Sequence, residues 1–325
     1  MRARRRRARG LLRLTLVGAL VGVWVAVTAI AQIYVLSTDR PVSPPGGLTF
    51  VRTGTYNTRY QAWGRSSAPA IVLVHGAFES VAYWQPLARE LAHTYHVEAY
   101  DLKGYGYTDH VGPYTTEALA NQLFDFLKAR HLAHPILVGH SLGAGVVARF
   151  VLDHPHVARG IVFLDGDGLA ASLPGRQLLD LLINPYRTAI FRFAVRSDAL
   201  VRTIFKVACG PECPSLSASQ LEAVRRPLEV AGAEQALFAY AARPIVGVRV
   251  SDLNRIREQH MSALVVVGSR DFQFSIRSAR LTARRIGAPP PVVIEGAGHL
   301  TMWSNPGRVA QVLERFASRI VSKYR

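Results

Sequence analysis

The chain has 325 residues, of which 49% are hydrophobic and 19% are charged, and its net charge at pH 7 is +17. This composition excludes a disordered, collagen-like or low-complexity chain, and the length suits one large domain or two ordinary ones. Seven of the 39 Lys and Arg residues lie before residue 14, and the other basic residues form no nucleic-acid-binding motif. We therefore expect no nucleic-acid partner.

The first predicted element is an apolar helix. Residues 14–36 contain no charged side chain, and a helix of that length can cross a hydrocarbon core of about 30 Å. The basic tail, residues 1–13, favours the cytoplasmic side, which places the rest of the chain outside the cytoplasm. The sequence therefore predicts a protein anchored in the membrane through this helix. The alternatives are a signal cleaved after Ala31, which would give a secreted protein, and a buried soluble helix.

Residues 37–47 are rich in Pro and Gly and are predicted to form a linker. From residue 48 onward, short β-branched runs alternate with helical stretches, which predicts an α/β sheet rather than a sandwich or a bundle. An antiparallel hairpin opens the domain, and the later runs are typical of strands buried on both faces. The predicted strands are 48–52, 57–63, 71–74, 96–100, 136–138, 161–164, 264–267 and 292–294, and helices are predicted at 84–94, 116–130 and 143–154.

About a hundred residues separate Asp165 from the strand at Leu264, which is far more than a simple crossover needs. Apolar residues recur there at helical spacing, so we predict a helical lid over 169–255, inserted between core segments 48–168 and 256–325. Cys209 and Cys213 are the only cysteines and are too few for a zinc site. Outside the cytoplasm a short disulfide is expected, with two free thiols as the alternative.

A candidate nucleophile, Ser141, lies in a G-x-S-x-G motif between a predicted strand and a predicted helix. A side chain at Gly139 or Gly143 would crowd this tight turn, so the glycines have a steric reason. The amide of Leu142, at the start of the helix, points to where an oxyanion would form. The amide of Ala77, in the turn after an earlier strand, is the second candidate oxyanion donor.

A serine hydroxyl needs a general base, and the base needs a carboxylate to orient it. His299 follows the last predicted strand in a glycine-rich loop. The histidines predicted to be ordinary surface or loop residues are His93, His96, His110, His131, His134, His154, His156 and His260. Asp271 follows the strand before it, which gives the chain order Ser, Asp, His. Asp165 and Asp167 end another strand at the same edge and are the competing acids, with Asp271 favoured.

With these residues in place, the chain resembles the α/β-hydrolase fold family. HGAFES, DLKGYGYTD, GHSLGAG, GSRD and GAGHL occur in the family's order and cover about residues 48–320. The resemblance implies an α/β fold with a mostly parallel eight-stranded sheet, flanked by helices, and an active site beneath the lid. Relatives that form an ester intermediate on aspartate, the epoxide hydrolases and haloalkane dehalogenases, are disfavoured because Ser141 stands at that position.

The expected function is hydrolysis of carboxylic esters through an acyl-enzyme, acting on a small molecule with an apolar group. This reaction requires no metal or organic cofactor. One alternative is different chemistry on the same three residues, either C–C bond hydrolysis or perhydrolysis of the haloperoxidase type. The other is a noncatalytic membrane-tethered binding protein.

Overall fold

An eight-stranded sheet lies at the centre of the domain, in the order β1-β2-β4-β3-β5-β6-β7-β8. The computed structural model describes residues 2–170, 184–244 and 246–322. The first two strands are antiparallel to their neighbours, and β3 to β8 are parallel to one another. The strands are β1 Thr49–Thr53, β2 Tyr56–Trp63, β3 Ala70–Val74, β4 His96–Tyr100, β5 Ile136–His140, β6 Gly160–Leu164, β7 Ser262–Gly268 and β8 Val292–Ile294. The predicted fold is confirmed.

Helices cover both faces of the sheet, which explains why the central strands are apolar along their whole length. Alternate residues of β3 belong to opposite hydrophobic clusters, Val72 to one and Leu73 to the other. The helices outside the lid are α1 Arg2–Ser37, α2 Gln85–Leu91, α3 Thr116–Ala129, α4 Leu142–Asp153, α9 Val250–Glu258, α10 Ile276–Ile286, α11 Thr301–Ser304 and α12 Pro306–Val321. α2 is shorter than the predicted 84–94: a 3-10 turn, Val81–Trp84, precedes it, and it ends at Leu91, after which the chain turns at 92–94.

Four described helices form the lid between β6 and α9: α5 Tyr186–Arg196, α6 Asp198–Cys209, α7 Ala218–Arg225 and α8 Ala233–Ala241. Residues 171–183 and 245 of the predicted insertion lie outside the described residues. α9 ends the predicted insertion, but it packs against α4 and α10 beside the sheet. The expected disulfide is present: Cys209, at the end of α6, is bonded to Cys213.

The apolar N-terminal helix is also present. Within α1, Thr15–Ser37 has a mean hydropathy of 2.2, and none of that stretch is buried against the rest of the chain. Its length and composition are sufficient to cross a membrane. The end of α1 contacts the lid helix α5. The segment after α1 is also hydrogen-bonded to the lid, because the Val42 amide donates to the Glu229 carbonyl at 3.0 Å.

Glycine is required sterically in the turn between β5 and α4. A Cβ on Gly139 would lie 2.4 Å from the carbonyl oxygen of Gly143, and a Cβ on Gly143 would lie 2.2 Å from that of Val74. Both obstacles are main-chain atoms, which cannot rotate away as a side chain can. The turn therefore packs directly on the end of β3.

We predict that Gly143→Ala destabilises the protein by about 1–3 kcal/mol, because the new methyl group must displace the main chain of β3. The measurement is the midpoint of thermal unfolding of the whole chain in detergent micelles. Gly46→Ala is the matched control, since a Cβ there would meet nothing within 4 Å. A Gly143→Ala midpoint equal to that of the control would contradict this account of the turn.

Candidate active site

Ser141 occupies the strained turn that the G-x-S-x-G motif predicts. Its φ of 49° and ψ of −117° lie in a region that residues with a side chain rarely adopt. The surrounding backbone holds it there: the Ser141 amide donates to the Leu164 carbonyl at 3.0 Å. The carbonyl of Ser141 lies so close to Gly166 that a Cβ on that glycine would be 2.8 Å away. Ser141 lines the cavity beneath the lid.

The structure brings the three predicted residues together in one chain of hydrogen bonds. Nε2 of His299 lies 3.0 Å from Oγ of Ser141, and Nδ1 of the same ring donates to Oδ2 of Asp271 at 2.8 Å. The other oxygen of Asp271 accepts the amides of Gln273 and Phe274 at 2.7 and 2.9 Å. Asp271 is thus fixed on one side by the main chain while its free oxygen holds the imidazole. This arrangement can remove a proton from the serine hydroxyl.

The competing acids take other positions. Asp165 is fully buried and accepts hydrogen bonds from the Gly268 amide at 2.8 Å and from the Thr301 hydroxyl at 2.5 Å. Burial raises the pKa of Asp165 to about 6. Asp167 accepts the Leu169 amide at 2.9 Å. Neither bonds the His299 ring, so Asp271 is the carboxylate that orients it.

Two amides beside Ser141 suit an oxyanion. Ala77 and Leu142 both line the cavity with Ser141, and neither amide donates to another group in the described part of the chain. The preceding amide, of Gly76, is already used by Glu79 at 2.8 Å. A Cβ on Gly76 would lie 3.0 Å from that of Ser141, so the two turns are adjacent. The predicted oxyanion donors therefore line the same cavity as Ser141, with amides that the described part of the chain leaves unused.

A buried ion pair beneath these turns was not predicted from the sequence. Nδ1 of His140 donates to Glu79 at 3.0 Å, and its Nε2 donates to the carbonyl oxygen of His299 at 2.7 Å. Burial alone would lower the pKa of His140, but the carboxylate of Glu79 raises it to about 9. Burial raises the pKa of Glu79, but the charge of His140 more than offsets this and holds it below its usual value. The available signal was Glu79 and His140 themselves, one ionisable side chain in each of the two turn motifs HGAFES and GHSLGAG that had no assigned role.

The lid holds the main chain of His299 from the other side. The His299 amide donates to the Ala208 carbonyl at 2.7 Å, and the Gly298 amide donates to the Cys209 carbonyl at 3.0 Å. Both acceptors lie in the last turn of α6, directly before the disulfide loop. The loop that carries the candidate base is therefore attached to the lid as well as to the sheet.

The cavity beneath the lid has a volume of about 480 Å³ and is mostly apolar. Ser141 and His299 lie on its floor, and helices α5 to α8 supply the opposite wall. The apolar lining from the lid consists of Phe191, Ala194, Val195, Val201, Ile204, Phe205, Ala208, Val224, Leu228, Tyr240 and Ala241. In the described ranges 2–170, 184–244 and 246–322, no three His, Cys, Asp or Glu side chains are grouped as metal ligands.

Comparison with known proteins identifies the family. Residues 71–312 match the alpha/beta hydrolase family, and the chain belongs to it. An uncharacterized protein of Mycobacterium tuberculosis is 27% identical over 292 residues, which are 85% of this chain and 82% of that protein.

Two solved structures share the fold. A membrane phospholipase A matches with a TM-score of 0.68 at 21% identity, covering 96% of this chain and 98% of that one. A meta-cleavage product hydrolase from Pseudomonas fluorescens IP01 also has a TM-score of 0.68, at 15% identity, with 83% and 97% covered. At these identities the likeness concerns the fold alone.

We predict that Asp271→Asn lowers kcat for p-nitrophenyl butyrate by about 10⁴, because an amide in place of the carboxylate favours the wrong tautomer of the imidazole. Asp165→Asn is the control, and we expect a much smaller loss from it because Asp165 does not bond the ring. Circular dichroism checks that both variants are folded. The reverse ranking of the two losses would transfer the orienting role to Asp165.

The buried pair predicts a specific dependence of stability on pH. The folded pKa of His140, about 9, lies above its ordinary value of 6.5, so its contribution is complete below about pH 6.5 and is lost as the pH rises through 9. Breaking such a pair costs about 3–5 kcal/mol, so Glu79→Gln should unfold more easily than the parent at pH 7. The difference should shrink between pH 7 and pH 10.

The measurement for this prediction is denaturant unfolding of both proteins at pH 7, 8, 9 and 10. Glu117→Gln removes an exposed carboxylate 3.8 Å from Arg149 and is the matched control. Its difference from the parent should be small and should stay constant over this range. A pH-independent difference for Glu79→Gln would show that the pair is not ionised.

Proposed function

We propose that the protein is a serine hydrolase that cleaves carboxylic esters through an acyl-enzyme, with Ser141 as nucleophile, His299 as general base and acid, and Asp271 as the orienting carboxylate. The observation that carries the proposal is the chain of hydrogen bonds from Ser141 through His299 to Asp271 at the floor of an apolar cavity. Membership of the alpha/beta hydrolase family supports hydrolysis as the type of reaction.

In the first half of the proposed reaction, Oγ of Ser141 attacks the ester carbonyl carbon while Nε2 of His299 takes the hydroxyl proton. The carbonyl oxygen becomes negatively charged and accepts hydrogen bonds from the amides of Ala77 and Leu142. When the tetrahedral intermediate collapses, His299 gives its proton to the leaving alcohol. The ionised Asp271 stabilises the imidazolium between these two transfers.

In the second half, His299 removes a proton from water, and the resulting hydroxide attacks the acyl-enzyme. The same two amides hold the second oxyanion, and its collapse releases the carboxylic acid while Ser141 recovers its proton. All proton transfers pass through one imidazole, so the steps call for no metal or organic cofactor. The apolar lining of the cavity favours a small-molecule ester with an apolar acyl or alcohol group.

We also propose that α1 anchors the protein, with the hydrolase domain outside the cytoplasm. Seven arginines precede an uncharged stretch long enough to span a bilayer. The bond between Cys209 and Cys213 suits an oxidising compartment. Alkaline phosphatase fused after residue 325 should be active, and an inactive fusion would contradict export, whereas a mature chain that begins at Gln32 would replace the anchor by a cleaved signal.

We predict that a fluorophosphonate probe labels the purified protein and that Ser141→Ala abolishes the labelling, because Ser141 is hydrogen-bonded to the candidate base. Ser278→Ala, on α10, is the matched control and should label like the parent. Labelling that survives Ser141→Ala would refute the proposed nucleophile. A folded parent protein that neither labels nor hydrolyses p-nitrophenyl esters of any chain length would indicate a binding function instead.

A further inference from the structure

Two lid helices expose a group of large apolar side chains. On α5, Ile190 and Phe193 are 56% and 60% exposed, and on α6, Leu200, Ile204 and Val207 are 37%, 61% and 63% exposed. Their spacing of three or four residues puts them on one side of each helix. They are five of the eleven large apolar side chains exposed in the described residues that follow α1. We call these five residues the lid face, and apolar surface concentrated in this way marks an interaction site.

Helix α5 lies alongside the apolar part of α1. The hydroxyls of Thr28 and Tyr186 are hydrogen-bonded, and Arg192 donates to the carbonyl oxygen of Val35 at 2.9 Å. Along the contact, the residue numbers of α1 and α5 increase in the same direction, so the two helices are parallel. Thr28 precedes Ser37, the end of α1, by nine residues, which is about 13 Å along the helix axis. A bilayer spanned by α1 would therefore reach the level of α5.

Three salt bridges lie at the opposite end of this contact, where α1 ends, whereas Arg187, beside Tyr186, lies 4.1 Å over the ring of Phe238. Arg192 is paired with Asp39 at 3.0 Å and with Glu234 at 2.7 Å, and Arg196 is paired with Glu229 at 3.4 Å. An apolar surface that passes into a charged border along one axis suits the change from acyl chains to headgroups at a membrane surface.

The cavity reaches the lid face. Ile204 lines the cavity and is also 61% exposed, so it lies at the mouth. On the same two helices, Phe191 of α5 and Phe205 of α6 line the cavity, whereas Phe193 of α5 is exposed. A molecule held by the lid face would thus lie next to the opening that leads to Ser141.

We propose that the lid face inserts into the bilayer leaflet beside α1, and that the cavity takes its substrate from that leaflet. The substrate class is then a lipid ester embedded in the membrane, rather than an ester dissolved in water. This inference rests on the proposed ester hydrolysis and on the proposed anchoring by α1.

The insertion is tested with a nitroxide spin label at Phe193→Cys in the whole chain, reconstituted into phosphatidylcholine–phosphatidylglycerol vesicles. The native cysteines are joined in the disulfide and do not compete for the label. The label should be more accessible to oxygen than to a water-soluble nickel complex, whereas a label at Ser318→Cys on α12 should show the opposite. A Phe193→Cys label as accessible to nickel as the control overturns the insertion.

The substrate route is tested by comparing two substrates. The double variant Ile190→Asn, Phe193→Asn changes only lid-face residues outside the cavity lining, so hydrolysis of p-nitrophenyl acetate should be unchanged. Hydrolysis of a fluorogenic diacyl phospholipid in the same vesicles should fall by about tenfold or more, since two large apolar contacts are lost. Phe50→Asn, at an exposed apolar site on β1, is the control and should leave both rates unchanged.

Equal losses on both substrates, or none on the phospholipid, overturn the proposed route. The spin-label measurement is repeated in the Ser141→Ala background, where it does not depend on catalysis. If the parent protein hydrolyses neither substrate, the proposed function fails, while the depth of the label still decides whether the lid face is inserted.

Discussion

The candidate site depends on the buried pair of Glu79 and His140. Two charges removed from water are costly unless their remaining donors and acceptors are also used. Here the carboxylate of Glu79 also accepts the Gly76 amide, and the second nitrogen of His140 donates to the His299 carbonyl. The pair therefore joins the turn after β3, the turn after β5 and the loop after β8. A shift of either turn would separate the two charges, and a shift of the loop would leave the second N–H of His140 without an acceptor, so the three segments hold one another in place.

This constraint explains how the turn at Ser141 tolerates its positive φ. Such backbone strain persists only where the surroundings determine the conformation more strongly than the residue itself. Gly139 and Gly143 let the turn pack against main-chain atoms, and His140 is fixed by its ion pair immediately before the serine. The position of the hydroxyl is therefore set by the sheet and by the pair rather than by the preference of the serine.

Much of the fold and of the candidate site could be predicted because it depends on local patterns. Ser141, Asp271 and His299 each follow a predicted strand, and the carboxyl ends of parallel strands meet at one edge of a sheet. The choice between Asp271 and Asp165 was a preference, since both end strands at that edge and only the packed structure determines which carboxylate bonds the ring. The pair of Glu79 and His140 was missed because its members are 61 residues apart and neither motif requires the other.

The lid links the chemistry to the proposed membrane contact through one helix. The last turn of α6 bonds the main chain of His299 through Ala208, Phe205 faces the cavity, and Ile204 and Val207 are exposed. Packing the lid on the core accounts for the inward side of this helix but leaves the outward apolar side unexplained. Lipid beside α1 would cover the outward side of α6. The residues that hold the candidate base would then lie on the opposite side of the same helix.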